Sequence, residues 1–161
     1  MKTFGKVLVT LFFAASASLS VPALAQEASP VSLSGDVMAV EVSVDEDGNE
    51  TTKLVEPSTI VPGDRLIFGT DYANTGDEPV KNFVVTNPLP GPVRLAPDAE
   101  PNLVVSVDGG ASWGTLASLT VTLDDGSQRS AQHADVTHVR WTLAEIPPGE
   151  GGRLEYPAII R

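Results

Sequence analysis

Apolar and polar side chains alternate along most of the chain after residue 36, and this period of two constrains the fold more than any other feature. The first such segment carries its larger apolar side chains at alternate positions, namely Met38, Val40, Val42 and Val44. This spacing predicts one apolar face on a half-buried strand. Residues 45–50 are rich in Asp, Asn and Gly, which favour a chain reversal, so a second strand is expected over 51–55.

The same reading predicts eight short strands separated by turn residues. They cover 38–44, 51–55, 65–72, 80–86, 103–107, 118–123, 136–143 and 153–160. No segment after residue 25 has the apolar spacing of a helix, so the fold class is all-β, an antiparallel β-sandwich of about 7–8 strands. A closed barrel is the rival architecture, but the proline-rich loop over 87–101 suits a crossing between two sheets.

The N-terminus has the layout of a secretory signal peptide. Lys2 and Lys6 precede an apolar run that is too short to span a bilayer. Ala23 and Ala25 then supply the small residues that signal peptidase requires, so cleavage is expected before Gln26. The sequence thus predicts an exported chain, without choosing between the periplasm and the outside of the cell.

Three segments follow from these patterns: a signal peptide over 1–25, a flexible lead-in over 26–36 and the sandwich over 37–161. Cleavage would leave eight basic residues against 21 acidic ones, a net charge of −13. This charge repels phosphate backbones and anionic lipid head groups, which argues against nucleic acid and membrane-surface partners. The chain has no cysteine, so its core must hold the fold without disulfides.

One stretch resembles a known family. It contains Val61-Pro62-Gly63-Asp64, then an alternating strand, then Tyr72-Ala73-Asn74-Thr75-Gly76, then Val84-Val85-Thr86-Asn87-Pro88-Leu89-Pro90. This order is similar to the bacterial surface-repeat family called domain of unknown function 11. The resemblance implies an immunoglobulin-like sandwich in an exported protein, here as a single copy.

A second motif, S-x-D-x-G-x-x-W, occurs at Ser106, Asp108, Gly110 and Trp113. It resembles the Asp-box hairpin of sialidases and other propellers, where the motif is a folding unit away from the catalytic centre. The resemblance implies an Asp carboxylate that accepts hydrogen bonds from turn N–H groups, and a largely buried Trp113. A single copy gives no reason to expect glycosidase activity.

Candidate metal sites are weak. Asp45, Asp47 and Asn49 have the 1, 3, 5 spacing of a calcium loop, but Glu50 occupies the position that needs glycine. A solvated acidic hairpin is the preferred interpretation. His133 and His138 are the only histidines and their spacing fixes no common face, so no zinc site and no cofactor is expected.

No catalytic motif is present: the chain lacks a G-x-S-x-G elbow, a P-loop and a dinucleotide fingerprint. We therefore expect a non-catalytic module of the cell envelope or surface, with protein partners that bind its edge strands or loops. Alternatives are a calcium- or carbohydrate-binding accessory protein and, less favoured, a small hydrolase built on the acidic loops. The sequence leaves the oligomeric state open.

Overall fold

A computed structural model describes residues 29–161, which form eleven antiparallel strands and two 3₁₀ turns. The strands are β1 (Val31–Val44), β2 (Glu50–Val55), β3 (Arg65–Asn74), β4 (Val80–Pro88), β5 (Val93–Leu95), β6 (Val104–Ser106), β7 (Gly114–Thr115), β8 (Thr120–Thr122), β9 (Gln128–Ser130), β10 (His138–Ile146) and β11 (Gly151–Ile160). The 3₁₀ turns are Leu116–Ser118 and His133–Asp135. All eight expected strands are present, and the three that the sequence did not predict, β5, β7 and β9, have two or three residues each.

Two sheets build the sandwich. The five-stranded sheet has the order β2-β1-β3-β11-β5, and the four-stranded sheet has the order β4-β10-β6-β7. Strands β8 and β9 form a separate hairpin. The all-β antiparallel sandwich expected from the sequence is confirmed.

The connectivity is that of a jelly roll. From β3 to β6 each successive strand lies in the opposite sheet. The chain then returns so that β10 lies between β4 and β6 while β11, across the corner in the other sheet, lies between β3 and β5. This order differs from the expected immunoglobulin-like order. In an immunoglobulin-like sandwich the last strand shares a sheet with the third and sixth strands, whereas here the last strand, β11, lies between β3 and β5. Alternation divides a strand into two faces, but it does not specify which strand lies beside it.

The core lies between the two sheets. Leu66, Val105, Val139 and Ala158 are almost completely buried there. Tyr156 is also buried, and its ring stacks on Phe68 with 5.0 Å between centroids. Burial of the Tyr156 phenol raises its pKa to about 12, because the charged form would lose its hydration.

Asn74 joins the two corners where the chain passes between sheets. Its side chain is buried, and Nδ2 donates to the carbonyls of Glu78 and Ile146, both at 2.8 Å. Its Oδ1 accepts from the N–H of Gly76 at 3.0 Å. The Asn-x-Gly turn therefore ties the β3–β4 corner to the β10–β11 corner.

The structure bears on two of the predicted segments, the lead-in over 26–36 and the crossing loop over 87–101. The predicted signal peptide, with Ala23, Ala25 and Gln26, lies outside the described residues. The flexible lead-in over 26–36 is wrong for residues 31–36, which belong to β1 and pair with β3 through backbone hydrogen bonds that need no particular side chain. The loop over 87–101 does cross between the sheets, as expected, and contributes β5 on the way.

Candidate interaction surface

The β1–β2 hairpin extends beyond the body of the sandwich. Strand β1 pairs with β3 over residues 31–39 and with β2 over 39–44, so the two partners overlap at Ala39 alone. Every residue from 41 to 54 is exposed. Residues 40–55, called the arm here, are therefore a two-stranded ribbon on which no other strand or layer of residues 29–161 lies.

One face of the arm is apolar. Val40 pairs with Leu54, while Val42 and Val44 pair with Thr52 and Glu50 on the same face. Val42 is 57% exposed, Val44 is 64% exposed and Leu54 is 44% exposed. We call Val40, Val42, Val44 and Leu54 the valine face.

The valine face lies on the outer side of the five-stranded sheet. Met38 is on this side as well, and it pairs with Ile67, which pairs with Pro157. The core is instead contacted by Val37 and Ala39. The alternation thus predicted correctly that the larger apolar side chains share a face. This face points away from the core, and Val37 and Ala39 on the opposite face pack against the core instead.

Strand β2 is an edge of the five-stranded sheet. The pattern of its backbone hydrogen bonds shows which N–H and C=O groups are not directed to β1. The N–H of Asp45 donates to the carbonyl of Asn49 at 2.9 Å, which makes this a hydrogen-bonded pair. Since such pairs alternate along an antiparallel ladder, residues 51, 53 and 55 direct their backbone groups to β1. Glu50, Thr52 and Leu54 therefore direct theirs to the open side, called the free edge.

The tip of the arm is acidic and held by a local turn. Asp45 Oδ1 accepts from the N–H groups of Asp47 at 2.9 Å and Asn49 at 2.8 Å, and both its carboxylate oxygens contact Asn49 Nδ2. These hydrogen bonds, first those from Asn49, lower the pKa of Asp45. Gly48 adopts φ +85°, which closes the turn. Calcium binding at Asp45, Asp47 and Asn49 stays a prediction.

A charged cluster borders the apolar row on the same outer face. Arg153 on β11 contacts Asp36 at 2.7 Å, Asp71 at 2.9 Å and Glu155 at 2.6 Å. Hydrogen bonds from the guanidinium lower the pKa of Asp36, and the hydrogen bonds of Arg153 to Asp36, Glu155 and Asp71 raise its own pKa. Gly69 lies beneath Arg153, which covers it. One guanidinium binds three carboxylates, so the cluster keeps a net negative charge. On the arm, by contrast, no side chain of residues 29–161 covers the apolar side chains.

The Ser106–Trp113 hairpin forms as the motif implied. Asp108 Oδ2 accepts from Ser112 Oγ at 2.5 Å, and its Oδ1 accepts from the N–H of Ser112 at 2.9 Å and from Ser106 Oγ at 2.7 Å. These hydrogen bonds lower the pKa of Asp108. The N–H of Gly110 donates to Ser106 Oγ at 2.8 Å, and Trp113 Nε1 donates to the carbonyl of Gly110 at 2.9 Å.

The expectation of a largely buried Trp113 is only partly met. Its ring is half-buried, because it lies outside the four-stranded sheet rather than in the core. The Arg140 guanidinium covers one ring face, 3.5 Å from the centroid, in a cation–π contact. Trp113 therefore links the hairpin to β10.

The acidic turns do not converge. The carboxylates of Asp45, Asp108 and Asp125 each accept hydrogen bonds inside their own turns. His138 contacts Thr137 and the edge of the Trp113 ring, whereas His133 lies in a 3₁₀ turn. Over residues 29–161, no three His, Asp or Glu side chains come together at a point that could hold a metal ion.

One cavity of about 380 Å³ lies beside Trp141. Its polar lining residues are Glu100, Asn102, Arg140, Thr142 and Glu155. Neither this cavity nor the free edge was located from the sequence. Residues 41–54 do contain a signal for the arm. One face of this ribbon carries polar side chains, so the core cannot cover both of its faces.

Comparisons with known proteins give no relative. No protein-family model, no curated protein and no solved structure matches the chain. The resemblance to domain of unknown function 11 therefore stays a prediction. Within residues 29–161, no helix has the length and apolar character to cross a membrane. The chain is thus described by its class: a β-sandwich of jelly-roll order with an exposed apolar arm.

Proposed function

We propose that the protein is an exported, non-catalytic module that works by contact, as a component of the cell envelope or surface. The observation that carries this proposal is the valine face, whose side chains at Val42, Val44 and Leu54 are exposed together on one side of the arm. Apolar side chains exposed side by side mark interaction sites more often than single ones do. The signal-peptide pattern supports export, and the family resemblance supports a role at the surface.

The geometry favours a partner that covers the arm. An isolated two-stranded ribbon is marginally stable in water, so a covering partner would order it and bury its apolar side chains. Because the three side chains are 44–64% exposed, burying the rest of each would contribute roughly 2–5 kcal/mol in total. This apolar contribution does not exceed the cost of association, so a stable contact needs backbone or charge interactions as well.

Site-specific photo-crosslinking in the producing cells tests this proposal. The crosslinking amino acid replaces Val42, which is 57% exposed on the valine face, or Val84 as a matched control, which is 48% exposed on the other sheet. We expect a discrete crosslinked product from position 42 and none from position 84. Crosslinks of equal yield at both positions, or at 84 alone, would contradict the proposal.

Carbohydrate binding is the second candidate function, and the cavity beside Trp141 favours it. An indole edge with neighbouring amide, hydroxyl and carboxylate groups is a chemically suitable lining for a sugar. Titration of the intrinsic tryptophan fluorescence with common monosaccharides tests it, with Asn102→Ala as the variant. A saturable change that the variant weakens would support this function, and no change up to roughly 100 mM sugar would exclude monosaccharides, since even millimolar affinity needs only a few kcal/mol.

A further inference from the structure

We propose that the free edge of β2 binds an extended, basic segment of a partner protein as an added antiparallel strand. This inference rests on the proposed function and deepens it, because it names the chemistry of the partner. The acceptor is the backbone of Glu50, Thr52 and Leu54, whose N–H and C=O groups point away from β1. Edge strands with free ladder groups bind extended peptides by strand addition.

The register of the ladder specifies which partner side chains lie on the valine face. In an antiparallel pair, residues directly opposite each other project to the same face. A partner residue opposite Leu54 therefore lies beside the valine face and should be apolar. The residue opposite Glu50 lies on the same face at the acidic end and should be Lys or Arg.

The direction of the partner strand follows from the same geometry. An antiparallel strand meets Leu54 first and Glu50 four residues later, and it then reaches the tip with Asp47 and Asn49. The expected segment thus has an apolar residue followed, four positions on, by a basic one, with another basic residue beyond it.

Charge argues for a basic partner rather than a second copy of this chain. The arm has acidic residues at Glu41, Asp45, Glu46, Asp47 and Glu50 against a single Lys53, and the whole chain has a net charge of −11. If β2 paired with the β2 strand of a second copy about Thr52, the acidic tip of one arm would lie near Glu56 of the other. Like charges in contact are destabilising, whereas a basic segment is attracted by the same residues.

A pair of variants isolates the backbone of the free edge. Thr52→Pro removes one N–H that points to the free edge, and proline is tolerated on edge strands, so the β1–β2 ladder is preserved. Thr52→Ala keeps this N–H and serves as the matched control. The two variants therefore differ in the backbone N–H of residue 52, which is a hydrogen-bond donor that an added strand needs.

The probe is a fluorescently labelled peptide, Thr-Val-Thr-Val-Thr-Lys-Lys, with blocked ends, and a second peptide carries Glu in place of both Lys residues. Anisotropy is measured with the exported protein purified after expression of the full chain. We expect saturable binding of the lysine peptide that weakens at least tenfold in Thr52→Pro and less than twofold in Thr52→Ala. The glutamate peptide should bind at least tenfold more weakly, and added salt should reduce the difference.

Several outcomes would overturn the inference. Equal binding to Thr52→Pro and Thr52→Ala, or equal binding of the two peptides, would contradict it, and so would the absence of any binding. A dimer in analytical ultracentrifugation that Thr52→Pro dissociates would identify a second copy as the occupant and reject the basic partner. The crosslinking test at Val42 is independent of these results, so a contact through the valine face could stand while this inference fails.

Discussion

Replacement of Asn74 by alanine should destabilise the fold more than any other single polar substitution at the sandwich corners. The side chain makes hydrogen bonds of 2.8, 2.8 and 3.0 Å, to two carbonyls and one N–H, and it is 1% exposed. An unsatisfied buried polar group costs about 1–3 kcal/mol. The Glu78 carbonyl belongs to an exposed residue and can reach water, so two groups are left unsatisfied and the expected loss is roughly 2–6 kcal/mol.

Urea unfolding followed by circular dichroism measures this loss. Thr75→Val is the matched control, because Thr75 Oγ1 makes one exposed hydrogen bond, to the carbonyl of Pro30 at 2.9 Å. The control should lose about 0.5–1 kcal/mol, the net value of one ordinary hydrogen bond. A loss below about 1 kcal/mol for Asn74→Ala, or one equal to that of the control, would refute the argument that Asn74 ties the two corners together.

Three further perturbations test other contacts. Ser106→Ala should lower the free energy of unfolding by about 1–3 kcal/mol in urea titration, because the buried hydroxyl accepts from Gly110 N–H. Asp108→Asn should reduce the decrease in the free energy of unfolding at acid pH. The folded-state pKa of Asp108 is depressed, so its contribution to stability is present above the unfolded pKa of about 4 and is lost as the pH falls below it. Unfolding measured between neutral pH and pH 2 would show this, and an unchanged acid slope would contradict it. Gly69→Ala should displace the Arg153 guanidinium and the Asp36 carboxylate and destabilise the fold slightly. The effect should shrink in an Arg153→Ala background by double-mutant cycle, because the Asp36 carboxylate is then free to move.

The sequence predicted the strands because local alternation and turn residues determine them directly. The turn at Asp45–Asn49 and the Asn74-Thr75-Gly76 corner lie where the residue types placed them. The order of the strands could not be obtained in this way. It depends on how β10 inserts between β4 and β6 while β11 inserts between β3 and β5, which involves contacts more than 30 residues apart in the chain.

The candidate surface illustrates a second limit of local patterns. Val40, Val42 and Val44 have the same spacing as a core-facing strand, yet Val37 and Ala39 face the core instead. A period of two gives the two faces of a strand without saying which one is covered. The free edge was equally inaccessible, because the sequence does not show that β1 leaves β3 after Ala39.

Amide hydrogen exchange of β2, with and without the lysine peptide, tests the central claim most directly. In the free protein, the amides of Thr52 and Leu54 should exchange at least tenfold faster than those of Thr51 and Lys53, which face β1. Addition of the peptide should slow Thr52 and Leu54 and leave strand β4 unchanged. Thr52 and Leu54 amides that are already protected in the free protein, or protection that develops on β4 instead, would contradict an open edge on the arm as the contact surface.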